Sequence, residues 1–126
     1  IRKVNFQMWT KALSLTLAIL ALPAMAETRL IMAEEEGCVW CALWNEEIGP
    51  IYPKTPEGRA APLLRLDLHE TLPAELQFTR SLHFTPTFVL MVDGVEASRI
   101  EGYPGEDFFW GLLGQMLIAA DEPTRP

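Results

Sequence analysis

Cysteine, histidine and tyrosine are scarce in this chain, with two of each among 126 residues. So few cysteines exclude a disulfide-stapled scaffold. A zinc site would have to combine Cys38, Cys41, His69 and His83. Thirteen residues separate the two histidines, against about 3 to 5 in zinc sites, so no metal is expected. A c-type haem needs histidine directly after the second cysteine, where Ala42 stands, and no cofactor is expected. Long apolar runs are also missing. The longest, "ALSLTLAILAL", covers about ten residues, whereas a bilayer span needs roughly 20. Basic charge is sparse, with 10 Lys and Arg against 17 Asp and Glu, net −7. Such a surface repels phosphates and excludes nucleic acid or an anionic membrane as partner. The chain has no internal repeat and no low-complexity segment.

The first 26 residues have the pattern of an address rather than of a fold. Arg2, Lys3 and Lys11 precede the apolar stretch, Pro23 breaks it, and Ala24 and Ala26 put small residues at the cleavage-determining positions. A signal peptide over 1–26, cut before Glu27, is expected, with export to the periplasm and no membrane contact afterwards. Residues 27–126 then form one domain, expected as a monomer. It carries all 17 acids but only seven basic residues, net −10.

The periodicities of this domain alternate between strand and helix. "TRLIMAE" (28–34) is a buried-strand pattern that ends before Gly37. A helix is expected from Cys38 through "CVWCALWNEEI". Pro50, Pro53 and Pro56 stop it and predict a loop over 50–62. "PLLRLDL" (62–68) alternates as a strand. Thr71 and Pro73 predict the start of a helix reaching Leu82. "TFVLMV" (87–92) and "VEASRIEG" flank Asp93-Gly94 as a hairpin. A last helix is expected from Gly105 to Ala120, with Phe108, Phe109, Leu112, Leu113, Met116 and Leu117 as its core stripe. A βαβ unit followed by a ββα unit gives an α/β fold: a four-stranded mixed sheet with helices on both faces.

The cysteines fall where the first strand passes into the first helix, the edge where α/β folds place their sites. A disulfide across two residues removes little entropy from the unfolded chain, so stapling is a weak explanation. A thiol at a helix start meets unpaired N–H groups and the positive end of the dipole, which favour the thiolate. Cys38 holds that position and is the expected nucleophile. Cys41, one turn on, can resolve a mixed disulfide. Trp40 lies between them as a candidate substrate contact, and Trp44 is expected in the core. Glu34 to Glu36 are expected as a solvated turn whose charge opposes the thiolate. His69 is expected as a surface residue at a strand end, and His83 as a loop residue without a role.

With "CVWC" after the first strand and "FTPTFVLMVDG" some 45 residues later, the chain resembles a thioredoxin-like domain over nearly all of 27–120. The resemblance implies that Pro86, after Thr85, forms a cis peptide and faces the disulfide, with Thr85 and Pro86 bordering the substrate. Gly102 falls where the family has a glycine near the site. "EGCVWC" in a short exported chain is similar to thioredoxin-like proteins encoded with bacterial sulfur-oxidation systems. Two departures stand out: Val39-Trp40 replaces the usual Gly-Pro, and Met32 occupies the place of a buried acid. The implied function is an exported thiol–disulfide oxidoreductase that reduces protein disulfides or small thiol conjugates and draws on a separate electron donor. The alternative is a redox-sensing binding protein with little turnover.

Overall fold

The computed structural model describes residue 18 and residues 26–122. The leader expected over residues 1–26 therefore lies almost wholly outside the described residues. Four strands form one mixed sheet in the order β2-β1-β3-β4. β1 (Thr28–Glu34) runs parallel to β2 (Leu63–Asp67) and antiparallel to β3 (Thr87–Val92). β3 pairs with β4 (Val95–Glu101) through the Asp93-Gly94 turn. Both turn residues have positive φ, 51° and 78°, as a tight two-residue hairpin demands. Just before β1, Asp93 donates its N–H to the Glu27 carbonyl at 2.8 Å, and the Glu27 N–H returns a bond to Asp93 Oδ1 at 2.7 Å.

The two continuous apolar runs become the inner strands. Leu30 to Ala33 and Phe88 to Met91 are buried, as strands covered on both faces require. Leu30, Met32, Phe88 and Leu90 face the helical layer, which consists of α1 (Val39–Glu47), a 3₁₀ turn (Tyr52–Lys54), α2 (Pro56–Ala60) and α3 (Glu106–Asp121). Trp44 of α1 is fully buried at its centre, with ring centroids 5.3 Å from Phe88 and 5.8 Å from Phe109. The stripe on α3 is narrower than its pattern indicates. Phe109 and Leu113 are buried, while Phe108 and Leu112 point outward.

The prolines of the 50–62 segment start short helical turns instead of forming a plain loop. Pro53 and Pro56 occupy first-turn positions, and the Thr55 hydroxyl caps α2 by accepting the Gly58 N–H at 3.0 Å. The opposite correction applies to residues 71–82, which are not helical. Gln77 spends its backbone on the sheet instead. Its N–H reaches the Gly94 carbonyl at 2.7 Å and its carbonyl takes the Glu96 N–H at 2.9 Å. The thioredoxin-like α/β fold stands, but irregular chain covers the second face. Leu76, Phe78 and Leu82 pack there on Ile31, Val89 and Met91.

Candidate active site

Gly37 sets up the turn from β1 into α1. Its φ of +80° lies in the region that side-chain-bearing residues avoid. Cys38 follows as the N-cap of the nine-residue α1. Its Sγ accepts the Cys41 N–H at 3.1 Å, a side-chain cap made by sulfur. Cys38 and Cys41 are joined in a disulfide with Cα atoms 5.2 Å apart. The two sulfurs are unequally placed: Cys38 is half-buried, whereas Cys41 is 4% exposed. The N–H that meets the Cys38 sulfur would stabilise a thiolate there once the disulfide is open.

The disulfide borders a shallow cleft of about 340 Å³ with Glu34, Glu35, Gly37 and Asn45 on its walls. Beside it, Val39 and Trp40 are 74% and 57% exposed. The Thr85–Pro86 peptide bond is cis. Pro86 is buried, and its carbonyl accepts the Gly102 N–H at 2.7 Å. The Thr87 hydroxyl donates to the Phe84 carbonyl at 2.6 Å and folds the segment back on itself. Phe84 remains exposed.

The glutamates before Cys38 are not a plain solvated run. Glu34 Oε2 lies 2.5 Å from Arg65 Nη1, and Arg65 also donates to Asn45 Oδ1 at 2.7 Å. Glu35 takes the Thr85 hydroxyl on Oε1 at 2.8 Å and faces His69 Nε2 from Oε2 at 2.9 Å. The Thr85 hydrogen bond foremost, then that of His69, holds the Glu35 carboxyl below its ordinary range. Glu36 alone of the three is exposed. His69 is indeed at the surface, but it has a partner. At the departure from the family pattern, Met32 is fully buried in the core cluster that also holds Cys41, and its sulfur lies 3.7 Å from Arg65 Nη1.

No family model and no curated protein matches the chain. Among solved structures, the reduced form of the periplasmic thioredoxin SoxS from Paracoccus pantotrophus is 54% identical. That match covers 75% of this chain and 100% of the other, with a TM-score of 0.74. The chain belongs to the thioredoxin-like family. A thioredoxin from Malassezia sympodialis shares the fold at 20% identity and a TM-score of 0.51, over 72% of this chain and 76% of its own. A thioredoxin-like fold with a Cys-x-x-Cys disulfide at its first strand-to-helix turn makes this protein a thiol–disulfide oxidoreductase.

Within this thioredoxin-like site the sequence-expected residues fall into two groups. Cys38, Trp40 and Cys41 sit together on the first turn of α1. Thr85 and Pro86 belong to the segment that leads into β3, and Thr85 reaches the cysteine turn through Glu35. His83 is exposed and forms no part of that link. Sequence reasoning missed Glu35 and its connection to His69. Their separations of 50 residues (Glu35 to Thr85) and 34 residues (Glu35 to His69) leave no local pattern to find.

Proposed function

We propose that this thioredoxin-like protein is an exported reductase of disulfides, with Cys38 as the attacking thiol and Cys41 as the resolving one. The observation that carries the assignment is the asymmetry of the pair. Cys38 is the more open sulfur and sits on the Cys41 N–H at the helix start, while Cys41 is 4% exposed.

In the reduced protein the Cys38 thiolate attacks one sulfur of the substrate disulfide. A Cys38–substrate disulfide forms, and the other substrate sulfur leaves as a thiolate that takes a proton from water. Cys41 then loses its proton and attacks the Cys38 sulfur. The Cys38–Cys41 disulfide forms, the second substrate thiol is released, and two electrons have passed to substrate. A separate dithiol donor must return the two electrons. With Met32 in place of an acid and Glu34 tied to Arg65, water is the proton acceptor left for Cys41.

The exposed Val39, Trp40 and Phe84 suit a protein substrate. Among the described residues, neither the N–H nor the carbonyl of Thr85 has a hydrogen-bond partner, so both can pair with an extended substrate segment. Export rests on the leader pattern of residues 1–26 and on likeness to a periplasmic relative. That likeness also supports a place beside bacterial sulfur-oxidation proteins. The Cys41→Ser variant tests the mechanism. It should accumulate a mixed disulfide through Cys38, and steady-state insulin reduction by the unaltered protein should show turnover. Redox-dependent binding without turnover would favour the sensor alternative instead.

A further inference from the structure

Glu35 ties together three segments that are distant in sequence. Its carbonyl accepts the Cys38 N–H at 3.4 Å, Oε1 takes the Thr85 hydroxyl at 2.8 Å, and Oε2 meets His69 at 2.9 Å. We propose that Glu35 is a positioning residue for substrate. Its carboxylate holds the Thr85 hydroxyl and so fixes the backbone before Pro86 against the turn that presents Cys38. The proposal rests on the reductase reading above, in which Thr85 pairs with an extended substrate.

The neighbouring ties leave this task to Glu35. Thr87 secures the Phe84 carbonyl and Gly102 secures the Pro86 carbonyl. The Thr85 side chain is held by Glu35 alone among the described residues. The Thr87 tie also orients the Thr85 N–H, which shares a planar peptide with the Phe84 carbonyl, so the docked hydroxyl is what remains to fix the Thr85 side chain and carbonyl. A carboxylate at this point also places a negative charge near Cys38, so two roles compete. A charge acting on the sulfur would alter every thiol–disulfide exchange that Cys38 makes. A tether acting on Thr85 would alter only exchanges in which an extended chain docks.

The two roles separate by comparing insulin with hydroxyethyl disulfide, which has no peptide backbone. The readout is the ratio of the two kcat/KM values, with KM and kcat resolved for insulin. Thr85→Val and Glu35→Ala should each lower that ratio about fivefold, the size of one lost side-chain hydrogen bond, through KM. The double variant should be no lower than the single ones, because both remove the same bond. Thr85→Ser and Glu35→Gln keep a donor and an acceptor and should recover most of the ratio. Equal losses on both disulfides, additive losses in the double variant, or Glu35→Gln as weak as Glu35→Ala would each overturn the tether. The Thr85 pair of variants decides the matter even where Glu35→Ala does not fold. An unaltered protein that reduces neither disulfide would overturn the reductase reading itself, and the tether with it.

Discussion

Thr79 gives both its backbone N–H and its hydroxyl to one carboxylate oxygen of Glu96, each at 2.6 Å. The same carboxylate pairs with Arg99, and the two side chains are 2% and 5% exposed. Arg99 extends the contact by donating to the Arg80 carbonyl at 2.9 Å. This polar clamp holds residues 79–81 on β4, at the point where the sequence pattern predicts a helix. Every buried partner in it is satisfied, which is the condition for such a network to stabilise.

The clamp makes stability sensitive to acid. Burial alone would raise the Glu96 pKa, but hydrogen bonds from Arg99 and Thr79 outweigh it and bring it to about 2. A folded pKa below the ordinary 4.5 means stability that is present above pH 4.5 and lost as pH falls toward 2. The amount is about 3 kcal/mol. Urea unfolding at pH 6 and pH 3 should show about 2 kcal/mol of this loss in the unaltered protein, the rest following as pH falls on through 2. Glu96→Gln should be less stable at pH 6 and much flatter across the same interval. Parallel pH profiles for the two proteins would rule the clamp out as the source.

Trp44 fills the centre of the helical layer, yet its indole N–H has no partner among the described residues. Trp44→Ala should cost about 3 to 5 kcal/mol as a large-to-small core change. Trp44→Phe keeps most of the ring contacts and removes the unpaired N–H. It should cost clearly less, by at least about 1 kcal/mol. Chemical denaturation of both variants measures the difference, and equal losses would mean that ring packing does not dominate this site.

The reactivity of the cysteines can be read directly. Alkylation of the reduced protein at mildly acidic pH should label Cys38 first, because it is the more open thiol and lies on the Cys41 N–H. Peptide mapping after brief iodoacetamide treatment gives the order. Labelling of Cys41 before Cys38 would reverse the roles in the mechanism.

The redox poise of the pair should respond to Glu34 and Arg65 with opposite signs. Their charges lie 2.5 Å apart and nearly cancel at the sulfurs. Glu34→Gln uncovers the cation, favours the thiolate and should make the disulfide more oxidising. Arg65→Gln uncovers the carboxylate and should make it more reducing. Shifts on the order of 10 mV are expected, shrinking as salt rises. Equilibration with glutathione reads both, and the unaltered potential should fall between about −120 and −270 mV, nearer the reducing limit. Shifts of the same sign in both variants would exclude an electrostatic origin.

The strands were legible because their patterns are local. Two short apolar runs bounded by turn residues fit buried strands, and Asp93-Gly94 is a hairpin signal. The cysteine pair was legible because its position at a strand-to-helix junction carries its own chemistry. Residues 71–82 misled because capping residues and Pro73 are helix-start signals, whereas the competing partners, Gly94 and Glu96, lie beyond the segment. The Glu35 link was hidden for the same reason. A carboxylate in a run of three reads as solvated until chain from 34 and 50 residues away is folded against it.

The Glu27–Asp93 contact gains a further meaning from the proposed cut after Ala26. The nitrogen that lies 2.7 Å from Asp93 Oδ1 would no longer be an amide but a terminal ammonium. Processing would thereby turn a neutral hydrogen bond into a charge-assisted one at the β3–β4 turn, a stronger class of bond. The paired ammonium would hold its proton more tightly folded than unfolded. The added stability would be present below about pH 8, the ordinary range of an α-amino group, and lost as pH rises through the higher folded value. Protein beginning at Glu27 should therefore melt higher at pH 6.5 than the same protein with Ala26 retained. Asp93→Asn should shrink that gap. Maturation would then be a step that finishes the fold as well as one that frees the chain.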